Sequence, residues 1–149
     1  MPKYFEEYAV GDVSEFGERT VTREEIVSFA ERYDPQPFHV DEEAAAESMF
    51  GGLVASGWHT AAVCMRMFVE HMADEAWLGA RGVDRLRWIQ PVRPGDTLSA
   101  TAEVVDRRPH EDDPTVGHVD TKLTAYNQDG EAVLSWVGLG IVRRRPGDD

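Results

Sequence analysis

The chain divides into a first half whose apolar residues follow a helical repeat and a second half whose apolar residues follow a strand repeat. In the first half, apolar side chains recur three or four positions apart at Ile26, Phe29, Ala30 and Tyr33. This spacing predicts an amphipathic helix from Thr22 to about Arg32. Thr22 and Glu25 have the spacing of a capping box, and Pro35 ends the helix because the residue before a proline disfavours helical backbone angles.

Two further helices are predicted between residues 41 and 77. Asp41 is expected to cap a short Ala-rich helix from Glu42 to about Met49, which Gly51-Gly52 ends. Ser56 is expected to cap the longest helix, from Gly57 to about Trp77. This helix is apolar around most of its circumference, so we expect it to be buried on several sides.

Strand-like segments account for most of the remaining chain. A short strand is predicted from Glu15 to Val21, and four more follow from Val83 onward, with a hairpin turn at 127–130. The first of these four strands begins near Leu86, and the other three cover Leu98–Val104, His118–Tyr126 and Ala132–Val142. Helices followed by a run of strands indicate an α+β fold with an antiparallel sheet. One curved sheet wrapped around the long helix would bury that helix on many sides.

The composition indicates one soluble globular domain. The 149 residues are enough for a single core and too few for two ordinary domains. Hydrophobic residues make up 42% and charged residues 29%, which excludes a disordered chain. We therefore expect one domain over residues 1–149, with residues from about 143 to 149 as a charged tail.

The charge balance restricts the partners. The formal net charge of −13 repels nucleic acid and anionic lipid, so neither is expected as a partner. An anionic ligand such as a CoA ester would need arginine concentrated near its site. The chain has two lysines and thirteen arginines, and this scarcity of lysine fits either a high-salt cytoplasm or an ordinary acidic protein of a GC-rich genome.

The expected cellular location depends on three features of the sequence: its cysteine content, its N-terminus and its longest apolar stretch. Cys64 is the only cysteine, so no intrachain disulfide is possible. The N-terminus does not resemble a signal peptide, because it becomes acidic within seven residues. The apolar stretch Thr60–Val69 is broken by Arg66 and is too short to span a bilayer. A cytoplasmic protein is the expectation.

The candidate chemistry lies just beyond the first predicted helix. Asp34 and His39 stand five residues apart on a loop stiffened by Pro35 and Pro37, and Gly57 follows the histidine by eighteen residues. A carboxylate and an imidazole can share acid/base work. A helix N-terminus at Gly57 offers a backbone N–H to an oxyanion. These residues therefore indicate an acid/base site.

The same residues resemble a known family, the MaoC-like dehydratases, which include the (R)-specific enoyl-CoA hydratases and have the hot-dog fold. The stretch Asp34–His39 is similar to the family's Asp-x-Asn-Pro-x-His motif, Gly57 has the family's offset, and Pro91–Leu98 is similar to a turn before one of its strands. The chain departs from the family at Gln36, where Asn is usual, and at Met65, where some hydratases have serine.

The resemblance implies reversible addition of water to a 2-enoyl thioester, with acyl-CoA as substrate and no metal or redox cofactor. It implies that Asp34 and His39 handle the proton and that the Gly57 N–H meets the developing oxyanion. Which of the two side chains is the base stays open. Candidate substrate-binding residues are Gln36, Ser56, Trp58, His59, Arg85, Arg87 and Arg93. The family also implies a homodimer or higher oligomer with sites near the interface.

Other interpretations remain open at this stage. An acyl-CoA thioesterase on the same fold would use the carboxylate to activate water at the thioester carbon, and a non-catalytic acyl-binding subunit would need neither group. Ser56 is expected as an N-cap rather than a nucleophile. His59 either touches substrate or packs in the first helical turn, and Arg85, Arg87 and Arg93 either meet CoA phosphates or are solvated on strand faces.

Overall fold

The computed structural model describes residues 2–147, which form a 3-10 turn, four α-helices and five β-strands. The 3-10 turn covers Phe5–Glu7. The helices are α1 (Arg23–Tyr33), α2 (Pro37–Val40), α3 (Glu42–Ala46) and α4 (Gly57–His71). The strands are β1 (Val13–Thr20), β2 (Trp77–Trp88), β3 (Thr97–Pro109), β4 (Val116–Tyr126) and β5 (Ala132–Arg143).

The five strands form one sheet in the order β1-β3-β4-β5-β2, and every neighbouring pair is antiparallel. Helix α4 packs against β1 and β3. This arrangement confirms the expected α+β class, with an antiparallel sheet around one central helix in the hot-dog manner. Strands β1 and β2 are the two edges of the sheet, so their outer backbone groups have no neighbouring strand within residues 2–147.

The helix starts agree with the caps expected from the sequence. Thr22 and Glu25 form the capping box of α1. The Asp41 carboxylate accepts hydrogen bonds from the first turn of α3, and the Ser56 hydroxyl accepts one from the Trp58 N–H at the start of α4. These caps are local interactions, which explains why a short stretch of sequence identifies them.

The helix ends differ from the expectation, because tertiary contacts decide them. Helix α3 ends at Ala46 rather than near Met49, and α4 ends at His71 rather than near Trp77. After α4, the Ala76 N–H donates to the Lys3 carbonyl, so the N-terminal segment holds the chain in an extended path. Strand β2 therefore begins at Trp77, earlier than the expected Val83.

The core lies between one side of α4 and the inner face of the sheet. It consists of fully buried side chains from all layers, among them Ile26, Val54, Cys64, Leu98, Leu123 and Leu134. Helix α4 is nevertheless not buried on several sides as expected, because Trp58, Met65 and Val69 are exposed. None of the helices in residues 2–147 has the length and hydropathy needed to cross a membrane.

The segment expected to be a charged tail makes hydrogen bonds with the N-terminal 3-10 turn. Arg143 is the last residue of β5, so the segment beyond the sheet begins at residue 144. The Arg144 guanidinium donates to the Glu6 carboxylate at 2.8 Å, and the Arg145 backbone N–H donates to the same carboxylate at 2.6 Å. Residues 148–149 of the expected tail lie outside the described residues.

Gly140 of β5 is in close contact with Trp77 of β2. A Cβ atom at Gly140 would overlap the ring of Trp77, with Cε3 at 2.8 Å and two other ring atoms nearer still. Trp77 is held by an edge-to-face contact with Phe68, 5.6 Å between ring centroids. We expect Gly140→Ala to destabilise the protein by about 1–3 kcal/mol through overpacking, measured by thermal unfolding.

Gly79→Ala is the matched control for this prediction. Gly79 lies on β2 and a Cβ there would meet no atom within 4 Å. Alanine should be neutral or slightly stabilising at such a position, because it restricts the unfolded chain. Equal melting temperatures for the two variants would contradict the proposed contact.

Candidate active site

Asp34 is positioned by the end of α1. Its backbone N–H donates to the Ala30 carbonyl, and Pro35 then turns the chain out of the helix. Its carboxylate accepts two hydrogen bonds of 2.7 Å, from the Ser56 hydroxyl to Oδ2 and from the Gln36 amide to Oδ1. Both oxygens are therefore fixed in direction by neighbouring side chains.

These contacts hold Asp34 in its charged form. The hydrogen bond from Ser56 is the largest cause that lowers the pKa of Asp34, and Gln36 and the nearby His39 lower the pKa further. Partial burial acts in the opposite direction and does not outweigh them. Asp34 is consequently a stable carboxylate at neutral pH.

His39 lies opposite Asp34, in the one-turn helix α2 rather than on the loop expected from the sequence. Its imidazole is buried, and the Nδ1 atom lies 2.7 Å from the Val54 carbonyl. Because a carbonyl can only accept, this contact assigns the proton of a neutral imidazole to Nδ1. Nε2 is then free to accept a proton, and it lies 3.5 Å from Asp34 Oδ2.

The segment before α4 joins these groups to the helix start. The Val54 N–H donates to the Phe38 carbonyl at 3.2 Å, and the Ala55 N–H donates to the Val92 carbonyl at 2.8 Å. Ser56 and Gly57 follow directly. Gly57 is the first residue of α4, and its N–H has no acceptor among the residues that the structure describes.

A cavity of about 400 Å³ opens over these groups. Of the residues selected from the sequence, it brings together Asp34, Gln36, His39, Gly57 and Trp58. Ser56 is fully buried behind the carboxylate that it holds. Most of the remaining lining is apolar and comes from Phe38, Phe50, Val54, Trp88, Ile89, Val92 and Val133.

Trp88 is the main feature of the site that sequence reasoning missed. It is the last residue of β2, and its indole N–H donates to the Gly57 carbonyl at 2.8 Å. A Cβ at Gly57 would lie 2.6 Å from both Cδ2 and Nε1 of this indole. The glycine therefore accommodates the indole of Trp88. No local pattern in the sequence connects two residues so far apart along the chain.

His59 lies outside the cavity. Its ring stacks on Phe29, with 4.9 Å between centroids, and the side chain faces a separate open depression beside α1. Burial lowers the pKa of His59, and the charge of Glu25 opposes this shift only in part. The imidazole is thus a neutral packing group in this structure.

The three arginines are likewise absent from the lining. The Arg93 guanidinium donates to the carbonyl of Phe50 at 2.7 Å. It therefore holds a residue of the cavity wall without lining the cavity itself. Arg85 and Arg87 are exposed near the end of β2, where Arg85 has a positive φ of 55°. They lie close in sequence to Trp88, which lines the cavity.

The arrangement suits proton transfer to and from a small molecule. A charged carboxylate and an imidazole with a free Nε2 face one cavity, and the N-terminus of α4 presents a backbone N–H that has no acceptor within residues 2–147. Within residues 2–147, no three His, Cys, Asp or Glu side chains converge as a metal site would require.

Comparison with known proteins identifies a family and several relatives to which the chain is similar. The family described as the MaoC like domain matches residues 6–127. The protein YdeM of Bacillus subtilis strain 168, described as uncharacterized, is 33% identical over 125 residues, which are 83% of this chain and 86% of that protein. A 3-hydroxybutyryl-CoA dehydratase of Methylorubrum extorquens is 31% identical over 108 residues, covering 71% of this chain and 66% of that protein.

A solved structure is similar over nearly the full length. The crystal structure of a MaoC-like dehydratase from Rhodospirillum rubrum has a TM-score of 0.90 at 40% identity. The likeness covers 97% of this chain and 99% of that one.

The hydrogen bonds to Asp34 predict how its pKa responds to substitution. Ser56→Ala should raise the pKa of Asp34 because it removes the largest lowering contact, and Gln36→Ala should raise it less. The pKa is measured by carbon NMR of the side-chain carboxyl during an acid titration. An unchanged pKa in Ser56→Ala would contradict this account.

The same shift fixes the sign of a stability effect. Because the folded pKa of Asp34 lies below its unfolded value, Asp34 adds stability above the unfolded pKa, and this stability is lost as pH falls through the folded pKa. Ser56→Ala should therefore lose less stability than the wild type over that acid range. Denaturant unfolding at a series of pH values measures the difference.

Proposed function

We propose that this chain, which belongs to the MaoC like domain family, catalyses the reversible addition of water to a 2-enoyl-CoA thioester. The observation that carries the proposal is the separation of 3.5 Å between His39 Nε2 and Asp34 Oδ2 at one cavity that also contains Gly57. The relatives described as a MaoC-like dehydratase and a 3-hydroxybutyryl-CoA dehydratase support the reaction class.

The first step is attack by water at C3 of the enoyl group. Asp34 Oδ2 and His39 Nε2 hold the water between them, and the new C–O bond forms as Nε2 takes a proton. His39 is the better base of the two because its Nε2 is free, whereas the pKa of Asp34 is lowered and its oxygens already accept hydrogen bonds. The Asp34 charge then stabilises the imidazolium that forms.

The second step returns the proton to C2. Attack at C3 moves an electron pair onto the thioester oxygen, and the Gly57 N–H at the positive end of α4 is the donor suited to this charge. A donor of this type typically stabilises the transition state by about 3 kcal/mol. The imidazolium then protonates C2, the enolate collapses to the 3-hydroxyacyl thioester, and His39 is neutral again.

The cavity and its surroundings favour an acyl thioester as the substrate. Its apolar walls accommodate an acyl chain. Arg85 and Arg87, which are exposed and lie shortly before Trp88 on β2, offer positive charge to CoA phosphates. Neither arginine has a carboxylate partner within 4.0 Å in residues 2–147. A cytoplasmic location, where CoA thioesters are available, fits this substrate.

Substitution of the acid/base pair tests the reaction. We expect Asp34→Asn and His39→Gln each to lower kcat by about 10²–10⁴-fold, because each removes one proton-handling group. Turnover is followed as the loss of the conjugated enoyl absorbance of crotonyl-CoA. Asp129→Asn and His110→Gln are matched controls, because the first lies in a hairpin turn and the second in the loop between β3 and β4.

A thiol reagent in the same cuvette separates hydration from hydrolysis. Release of free CoA without loss of substrate by hydration would favour the thioesterase alternative. Tight binding of acyl-CoA with neither reaction would favour a non-catalytic acyl-binding subunit. Wild-type turnover by Asp34→Asn or His39→Gln would contradict the proposed roles.

We further propose that the chain forms a homodimer through β2. This edge strand has exposed apolar side chains at Leu78 and Val83. Met65 of α4 is also exposed and lines one depression together with Val83. Exposed apolar side chains beside an open strand edge are typical of an interface. Antiparallel pairing of β2 with β2 of a second copy, related by a two-fold axis, would give the outer backbone groups of both strands hydrogen-bond partners.

A charge introduced on this surface tests the dimer. We expect Val83→Glu to produce monomers, because it would place two carboxylates in an apolar contact. Sedimentation velocity measures the oligomeric state. Val10→Glu is the control, since Val10 is also exposed but lies beside β1 at the opposite edge. Dimers of unchanged stability in Val83→Glu would exclude this interface.

A further inference from the structure

Trp88 makes an unusual set of contacts for a half-exposed side chain. Its relative exposure is 47%, yet its N–H is committed to the Gly57 carbonyl at 2.8 Å. The indole of Trp58 lies edge-on to it, with 5.2 Å between ring centroids. An exposed tryptophan held at such defined contacts restricts whatever it touches, and here it touches the first residue of α4.

The backbone of Trp88 is anchored to β5. It pairs with Leu134 of β5, which is fully buried, and the next residue, Ile89, donates its N–H to the Val133 carbonyl at 2.9 Å. The indole therefore extends from a rigid strand end to the helix start. This contact connects the sheet directly to the peptide unit that contains the Gly57 carbonyl.

The contact leaves no room for a side chain at position 57. A Cβ there would lie 2.6 Å from Cδ2 and Nε1 of Trp88 and nearer still to Cε2. Real Cβ atoms do not approach ring atoms so closely, and the indole cannot withdraw without losing its hydrogen bond to the Gly57 carbonyl. Gly57 and Trp88 therefore form one packed unit.

We propose that Trp88 is a positioning residue, which fixes the first turn of α4 so that the Gly57 N–H points at the substrate oxygen. This inference rests on the proposed hydratase function. An error of about 1 Å in the position of a catalytic group can cost a hundredfold in rate. A donor fixed before substrate binds also needs no reorganisation as charge develops. Trp88 acts through Gly57 and takes no part in proton transfer.

Kinetic constants of Trp88 variants test the role. Trp88→Ala should lower kcat by about 10–100-fold with a smaller change in KM, because positioning of an oxyanion donor matters most in the transition state. Trp88→Phe retains an aromatic ring but loses the N–H donor, and should lower kcat by about 2–10-fold. The pH dependence of kcat should keep its shape, since Asp34 and His39 are unchanged. Val105→Ala, another exposed apolar truncation, is the control.

A double substitution separates contact with Trp88 from contact with substrate. Gly57→Ala alone should lower both kcat and the melting temperature, because its Cβ displaces the indole. In the Trp88→Ala background, Gly57→Ala should have little further effect on either quantity. If the glycine instead makes room for substrate, Gly57→Ala should lower kcat equally in both backgrounds.

The outcomes distinguish this inference from the proposed function. A wild type that hydrates no enoyl-CoA would overturn the proposed function and the positioning role together. An active wild type, with kcat unchanged in Trp88→Ala at unchanged oligomeric state, would overturn the positioning role alone. Additive effects of Gly57→Ala and Trp88→Ala on melting temperature would overturn the packed unit itself.

Discussion

The hydroxyl group of Ser56 makes the interaction on which the rest of the site depends. It accepts a hydrogen bond from the Trp58 N–H, which caps α4, and donates one to Asp34 Oδ2 at 2.7 Å. One buried group thus caps the central helix and fixes the direction of the Asp34 carboxylate. Because the same hydroxyl makes both hydrogen bonds, the position of the helix N-terminus and the direction of the carboxylate cannot vary independently.

A second constraint acts on the same helix start from the sheet. Trp88 extends from the end of β2 to the carbonyl of Gly57, while Asp34 reaches it from the end of α1. The first turn of α4 is therefore held from two sides by elements that are far apart in sequence. Rigid elements hold reacting groups more accurately than loops do, which suits a reaction that depends on the direction of an N–H.

The acidic surface and the apolar interior have separate roles. The net charge of −13 is spread over a chain whose cavity walls are mostly apolar. Asp34 is the one carboxylate in the cavity lining within residues 2–147, and hydrogen bonds from Ser56 and Gln36 stabilise its charge. Exposed apolar residues on α4 and β2, among them Met65 and Val83, form the surface of the proposed homodimer.

The sequence by itself determined the local features: the caps at Thr22, Asp41 and Ser56, the antiparallel strands, and Asp34 and His39 as a pair near Gly57. These depend on neighbouring residues, whose spacing is visible along the chain. Only the tertiary structure decided where α4 ends, which atom of His39 is free, and that Trp88 covers Gly57, because each follows from contacts between distant segments. It also separated His59 from the cavity, since a helix start has several faces and sequence spacing does not say which face the site occupies.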